Sequence, residues 1–146
     1  NVIPHIDEFL ENGYTKEEMK MIDETKKIFH DDNLKITATT ARVPVRFGHS
    51  ISINVELKSN FDLEKIRFFL NQSNGIKVFD DVKNNQYPMP IIAQGKDEVF
   101  VGRIRRDLSI ENGLNIWVVA DNIRKGAATN AIQIAEVLLK EGVISW

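Results

Sequence analysis

From His49 to Leu57 the chain reads HSISINVEL, where Ile51, Ile53, Val55 and Leu57 alternate with Ser52, Asn54 and Glu56. A period of two sends alternate side chains to opposite sides of a strand, so one face packs and the other stays polar. Strands of an all-parallel sheet covered on both faces read instead as unbroken apolar runs, so this segment argues for an antiparallel or mixed sheet. Further strands are predicted at 34–43, a β-branched run closed by Pro44, and within IKVFD, EVFVGRIRRD and LNIWVVAD. YPMP, at 87–90, reads as an extended connector.

Helical periodicity fills the intervals. Thr15 and Glu18 have the spacing of a capping box and predict a helix over about 16–29. In FDLEKIRFFLNQ, Leu63, Ile66, Phe69 and Leu70 form one stripe, with Asp62 at its start and Gly75 beyond its end. GAATNAIQIAEVLLKE predicts a last helix over about 126–141, whose small residues allow another element to approach closely. The order of elements gives an α+β fold with a mixed, largely antiparallel sheet and helices on one face. The other face, with Ser52, Asn54 and Glu56, is then left for solvent or for the sheet of a twin subunit.

At 146 residues, 42% of them hydrophobic, the chain can bury a single core. A net charge of -2, with basic residues scattered among acids, gives no electrostatic case for nucleic acid or an anionic membrane as partner. No apolar run approaches the length of a membrane span and no leader pattern stands at the start, so a cytoplasmic location is expected. The opening NVIPHID has neither methionine nor a capped helix and reads as the middle of something longer. Cysteine is absent, which removes disulfides, thiolate metal sites and thiol nucleophiles from this chain.

Candidate chemistry concentrates in RVPVRFGHS. Arg42 reads either as an exposed ion-pair partner or as a planar fork that holds a carboxylate through two hydrogen bonds. His49 follows a glycine at the mouth of a strand, where the sheet can hold an imidazole facing a cleft. His5 and His30 read as structural, and the three histidines are too dispersed for a metal motif, so no metal is expected. Glu17 and Lys20 read as a solvated helix face, although a first helical turn can also aim charge into a pocket. No GxGxxG sequence occurs, so no dinucleotide loop is complete in the chain.

Taken together and in order, KEEMK with ETKKI, RVPV, GHS, VGRIRRD and WVVADNIRKGAATNAIQIAE resemble the C-terminal half of the aspartate-semialdehyde dehydrogenases, over essentially the whole chain. That resemblance implies an oxidoreductase of lysine, methionine and threonine biosynthesis, interconverting aspartyl phosphate and aspartate semialdehyde with NADPH or NADP. It implies a domain similar to the C-terminal domain of glyceraldehyde-3-phosphate dehydrogenase, pairing as a homodimer or higher homo-oligomer through its sheet. Residues 1–121 would form the dimerisation and substrate-binding domain, and 122–146 a helix returning to a nucleotide-binding domain outside the chain.

Residue by residue, the resemblance implies His49 as the acid/base, Arg42 as the grip on the substrate carboxylate and Glu17 as the ligand of its amino group. Lys20 would stand at the phosphate end and Asn122 at the nicotinamide end of the cofactor. The family's cysteine nucleophile and glycine-rich loop lie in its first domain, so the chain alone is expected to be inactive and to hold no NADP. Two other readings carry weight: an oligomerisation module from an inactive paralogue, and an acyl-phosphate reductase with another substrate. Intact Arg42 and His49 argue against the module, since pairing needs neither a carboxylate fork nor a proton shuttle.

Overall fold

The computed structural model describes residues 1–145, which divide into two compact units, Asn1–Val45 and the residues from Arg46 onward. In the first unit, helix α1 spans Lys16–Phe29 and begins with the expected box: the Glu18 N–H donates to Thr15 Oγ1 (3.2 Å) and the Thr15 N–H to Glu18 Oε2 (2.8 Å). These bonds satisfy donors that a helix start leaves orphaned. His30 ends the helix in the left-handed region, at φ 52°.

The segment 34–43 is extended, but it is not the predicted strand of a sheet. Its burial alternates, with Leu34, Ile36, Ala38 and Thr40 turned inward, as β-branched sequence favours. What it lacks is a ladder. Among the described residues its one β-bridge is at Arg42, which exchanges both hydrogen bonds with Ile3 (2.8 and 2.9 Å), and its other backbone bonds are local, from Leu34 to Asp31 and from Val45 to Val43. The Thr40 N–H donates instead to a side chain, Glu18 Oε1, at 2.8 Å.

The second unit holds a four-stranded mixed sheet of β1 (His49–Glu56), β2 (Ile76–Val78), β3 (Val99–Arg106) and β4 (Gly113–Ala120) in the order β1-β4-β3-β2. Both β1/β4 and β3/β4 are antiparallel and β2/β3 is parallel, in agreement with the α+β expectation. Helix α2 (Leu63–Gln72) lays Leu63, Ile66 and Leu70 against one sheet face, where Val101, Ile104 and Leu114 are buried with Val55 and Val118 beside them. A short helix, α3 (Pro90–Ala93), covers part of the other face over Phe100 and Val119. The YPMP connector is thus extended only as far as Met89, because proline suits the first turn of a helix.

Strand β3 changes register between Gly102 and Arg105, with Arg103 at φ 53°. This bulge takes two N–H groups off the ladder, and Asp80 collects them, at 2.6 Å from Arg103 and 3.1 Å from Ile104. Arg67, from α2, pairs with the same Asp80 carboxylate and donates to the Ile104 carbonyl (2.7 Å). Just before the bulge, Gly102 is obligatory, since a Cβ there would strike the Phe79 carbonyl and the Pro88 ring.

The last helix starts differently from expectation. A π-helical segment, Arg124–Ala128, precedes helix α4 (Thr129–Lys140). Asp121 accepts from the N–H groups of Ile123 (3.0 Å), Arg124 (3.2 Å) and Gly95 (2.8 Å), which moves the cap upstream of Gly126.

Candidate functional site

The expected site residues fall into two sets, one in each unit. In the first unit, Glu17 and Lys20 share the opening turns of α1, with Lys20 Nζ 3.9 Å from Glu17 Oε2 and both side chains in contact with solvent. A spacing of three puts them on one helical face. Arg42 is exposed, and its backbone is held in both directions by Ile3. Its guanidinium has no hydrogen-bond or ion-pair partner among the described residues, so its five donors remain available to a ligand.

Glu18, between Glu17 and Lys20, joins these pieces. It is 7% exposed, with Oε2 accepting from the Thr15 N–H and Oε1 from the Thr40 N–H. Those two amides, Thr15 first and Thr40 second, hold its carboxyl below the usual carboxylate range. The sequence marks Glu18 as a cap, but nothing in it reveals the second bond, to a residue far along the chain.

In the second unit, His49 opens β1 opposite Ala120, with its side chain exposed. Gly48, immediately before it, has φ 87°, and a Cβ there would lie 3.1 Å from the Ala120 carbonyl oxygen. Only glycine takes that conformation in that space without strain. The Gly48 N–H donates to Asn122 Oδ1 at 3.0 Å. Asn122, expected at the cofactor, therefore also holds the backbone that carries His49.

Asn122 Nδ2 has no partner among the described residues and can donate to an external carbonyl. Such a donor fits the carboxamide of a nicotinamide. For the rest of a dinucleotide the chain offers no glycine-rich turn at a helix N-terminus. Asp121 caps the following segment, and Asp97 locks it: Arg124 donates to both Asp97 oxygens (2.7 and 2.9 Å) and Thr129 Oγ1 to one (2.8 Å). Arg124 above all, then Thr129, lowers the Asp97 carboxyl to about 2. No local sequence pattern marks either aspartate. Among the described residues no cluster of three or more histidine, aspartate or glutamate side chains could hold a metal ion, and no helix is long and apolar enough to cross a membrane.

The first unit thus carries Arg42 and the Glu17/Lys20 pair, and the mixed-sheet α+β unit carries His49 at the start of β1, side-chain types that suit small anionic ligands. The comparisons make this specific. The family model described as "Semialdehyde dehydrogenase, dimerisation domain" matches residues 1–125, and the chain belongs to that family. It is 60% identical over 144 residues to an aspartate-semialdehyde dehydrogenase of Aquifex aeolicus, covering 99% of this chain but 42% of that protein. Among solved structures, aspartate semialdehyde dehydrogenase II from Vibrio cholerae, described as complexed with ASA, matches with a TM-score of 0.90 at 50% identity, over 96% of this chain and 41% of that one. The Candida albicans enzyme, described as crystallised with NADP, matches with a TM-score of 0.77 at 26% identity, over 99% of this chain and 46% of that one. The chain thus spans less than half the length of these relatives.

Proposed function

We propose that this chain is the substrate-binding and dimerisation part of an NADP-dependent aspartate-semialdehyde dehydrogenase, a cytoplasmic enzyme that reductively dephosphorylates aspartyl phosphate to aspartate semialdehyde. The observation that carries this reading is 60% identity to such an enzyme over 144 residues. The clamped backbones of Arg42 and His49 support it, because a substrate grip and a proton-transfer group both need fixed positions.

In this reading Arg42 holds the substrate α-carboxylate through two parallel N–H···O bonds, and Glu17 accepts from its ammonium. Lys20 supplies a point charge for the phosphate. His49 moves the proton at the reacting carbon: it protonates the oxyanion that forms as a thiolate from outside this chain adds to the aldehyde, takes that proton back as hydride leaves, and runs both transfers in reverse in the reductive direction. NADP supplies the hydride acceptor. Asn122 orients its carboxamide through Nδ2 while Oδ1 keeps Gly48 in place. Helix α4, with Ile132, Ile134 and Val137 each more than half exposed, returns to the nucleotide-binding domain of the whole enzyme.

Kinetics of the full-length enzyme test the assignment. Arg42→Lys keeps the charge and loses the fork, so kcat/KM for aspartate semialdehyde falls by the equivalent of about 1.5–3 kcal/mol with the fold intact. His49→Ala lowers kcat roughly 10²- to 10⁴-fold. Near-normal constants in either variant remove that residue from its role.

A further inference from the structure

Glu18 is more than a helix cap. A capping box uses one side-chain oxygen at the third helical position, and glutamine serves there as well as glutamate. In this chain the second oxygen is also committed: Oε1 accepts from the Thr40 N–H at 2.8 Å, with Thr40 Oγ1 at 3.4 Å. Both oxygens therefore face donors, and the carboxylate is nine-tenths buried without a cationic partner among the described residues. Burying an unpaired charge is costly unless hydrogen bonds compensate it. Here two backbone amides and the N-terminal end of α1 do so.

The geometry of the first unit makes this placement consequential. The segment 34–43 has no ladder to fix its height along α1, and Thr40 is bonded to that helix through Glu18. Two residues later, Arg42 is fixed from the other side by Ile3. Glu17 immediately precedes Glu18, and Lys20 follows two positions after it. One carboxylate thus ties the helical turn that carries Glu17 and Lys20 to the backbone that carries Arg42.

We propose that Glu18 is a positioning residue that sets the register between Arg42 and the Glu17/Lys20 pair, so that the carboxylate, ammonium and phosphate contacts fit one substrate. This rests on the reading of those three residues given above. Glutamine at 18 can accept at one oxygen only and turns an N–H₂ toward the other donor, so either the box or the tie to Thr40 is lost.

The test is a double-mutant cycle in the full-length enzyme with Glu18→Gln, Arg42→Ala and the pair. Glu18→Gln is expected to raise KM for aspartate semialdehyde roughly 10- to 100-fold, the scale of an ångström-sized misplacement. KM for NADP stays within about twofold, and kcat falls less than KM rises, because the loss is mainly of substrate binding. Combined with Arg42→Ala, Glu18→Gln causes little further loss of kcat/KM, because the two act on one interaction. If Arg42→Ala alone leaves KM unchanged, the reading of Arg42 falls and this proposal falls with it. If Arg42→Ala raises KM while Glu18→Gln does not, or the two effects are independent, the positioning role alone is overturned. Should Glu18→Gln fail to fold, Glu18→Asp takes its place in the same cycle, since it keeps the charge but is one methylene too short to span both amides. The same outcomes decide.

Discussion

At the scale of single residues, the proposed function gives Asn122 two jobs, one for each end of its amide. Oδ1 holds the Gly48 N–H, and Nδ2 is the donor assigned to the cofactor. Two substitutions separate these jobs in the full-length enzyme. Asn122→Asp keeps an acceptor for Gly48 and removes the donor, so KM for NADP rises while kcat is largely kept. Asn122→Ala removes both, so kcat falls as well, by about tenfold or more, because His49 loses its fixed approach. Steady-state kinetics with NADP varied distinguish the two, and identical kcat losses in both variants would deny Oδ1 its positioning role. Arg42, His49, Glu17, Lys20 and Asn122 are all nameable from RVPVRFGHS, KEEMK and ADNIRKG, through a resemblance. What the motifs do not convey is the bond from Gly48 to Asn122, because it joins residues 74 positions apart.

At the scale of elements, strands whose partners lie in this chain are legible in the sequence and the segment without a ladder is not. The alternation in β1 places Val55 in the core under α2 and turns Ser52 and Asn54 to the other face. The run at 34–43 has the same β-branched character, yet a strand is defined by a partner, and its Thr40 amide goes to a side chain instead. Similarly, periodicity locates α4 but not the π-helical segment before it, which depends on Asp97 and Asp121. That lock predicts acid sensitivity. The Asp97 carboxyl titrates at about 2 in the folded chain against an ordinary 3.8. A depressed folded value means that the unfolded chain binds the proton first, so this contribution is complete above 3.8 and is lost as pH falls toward about 2. Asp97 is partly exposed, so the effect is damped by solvent. Asp97→Asn should flatten the stability curve across that window and leave its slope near neutrality unchanged, as urea unfolding at a series of pH values would read. An unaltered acid limb would mean that Asp97 does not hold the segment.

At the scale of the whole molecule, the sheet presents two kinds of face. One is covered by α2, and the other is covered at one end by α3 and is elsewhere polar, with Ser52, Asn54, Arg105 and Asn115 on it. The family's description speaks of dimerisation, and this polar face is the contact proposed for a twin subunit. The chain should sediment as a dimer or higher oligomer at high micromolar concentration, and Ser52→Arg, which sets a like charge on each copy, should shift it toward monomer. A wild-type monomer, or an oligomer indifferent to Ser52→Arg, would place the contact elsewhere. The chain has no cysteine, so in the proposed mechanism the thiolate comes from outside it. The proposed function is therefore a division of labour, with substrate grip and proton transfer in this chain and the nucleophile and dinucleotide loop outside it. NADP reduction driven by aspartate semialdehyde and phosphate tests that division, assayed with the purified chain alone and then with a separately expressed, cysteine-bearing nucleotide-binding domain. No turnover is expected from the chain alone, and turnover is expected when the second domain is added. Turnover by the chain alone, in a preparation free of host enzyme, would contradict the division.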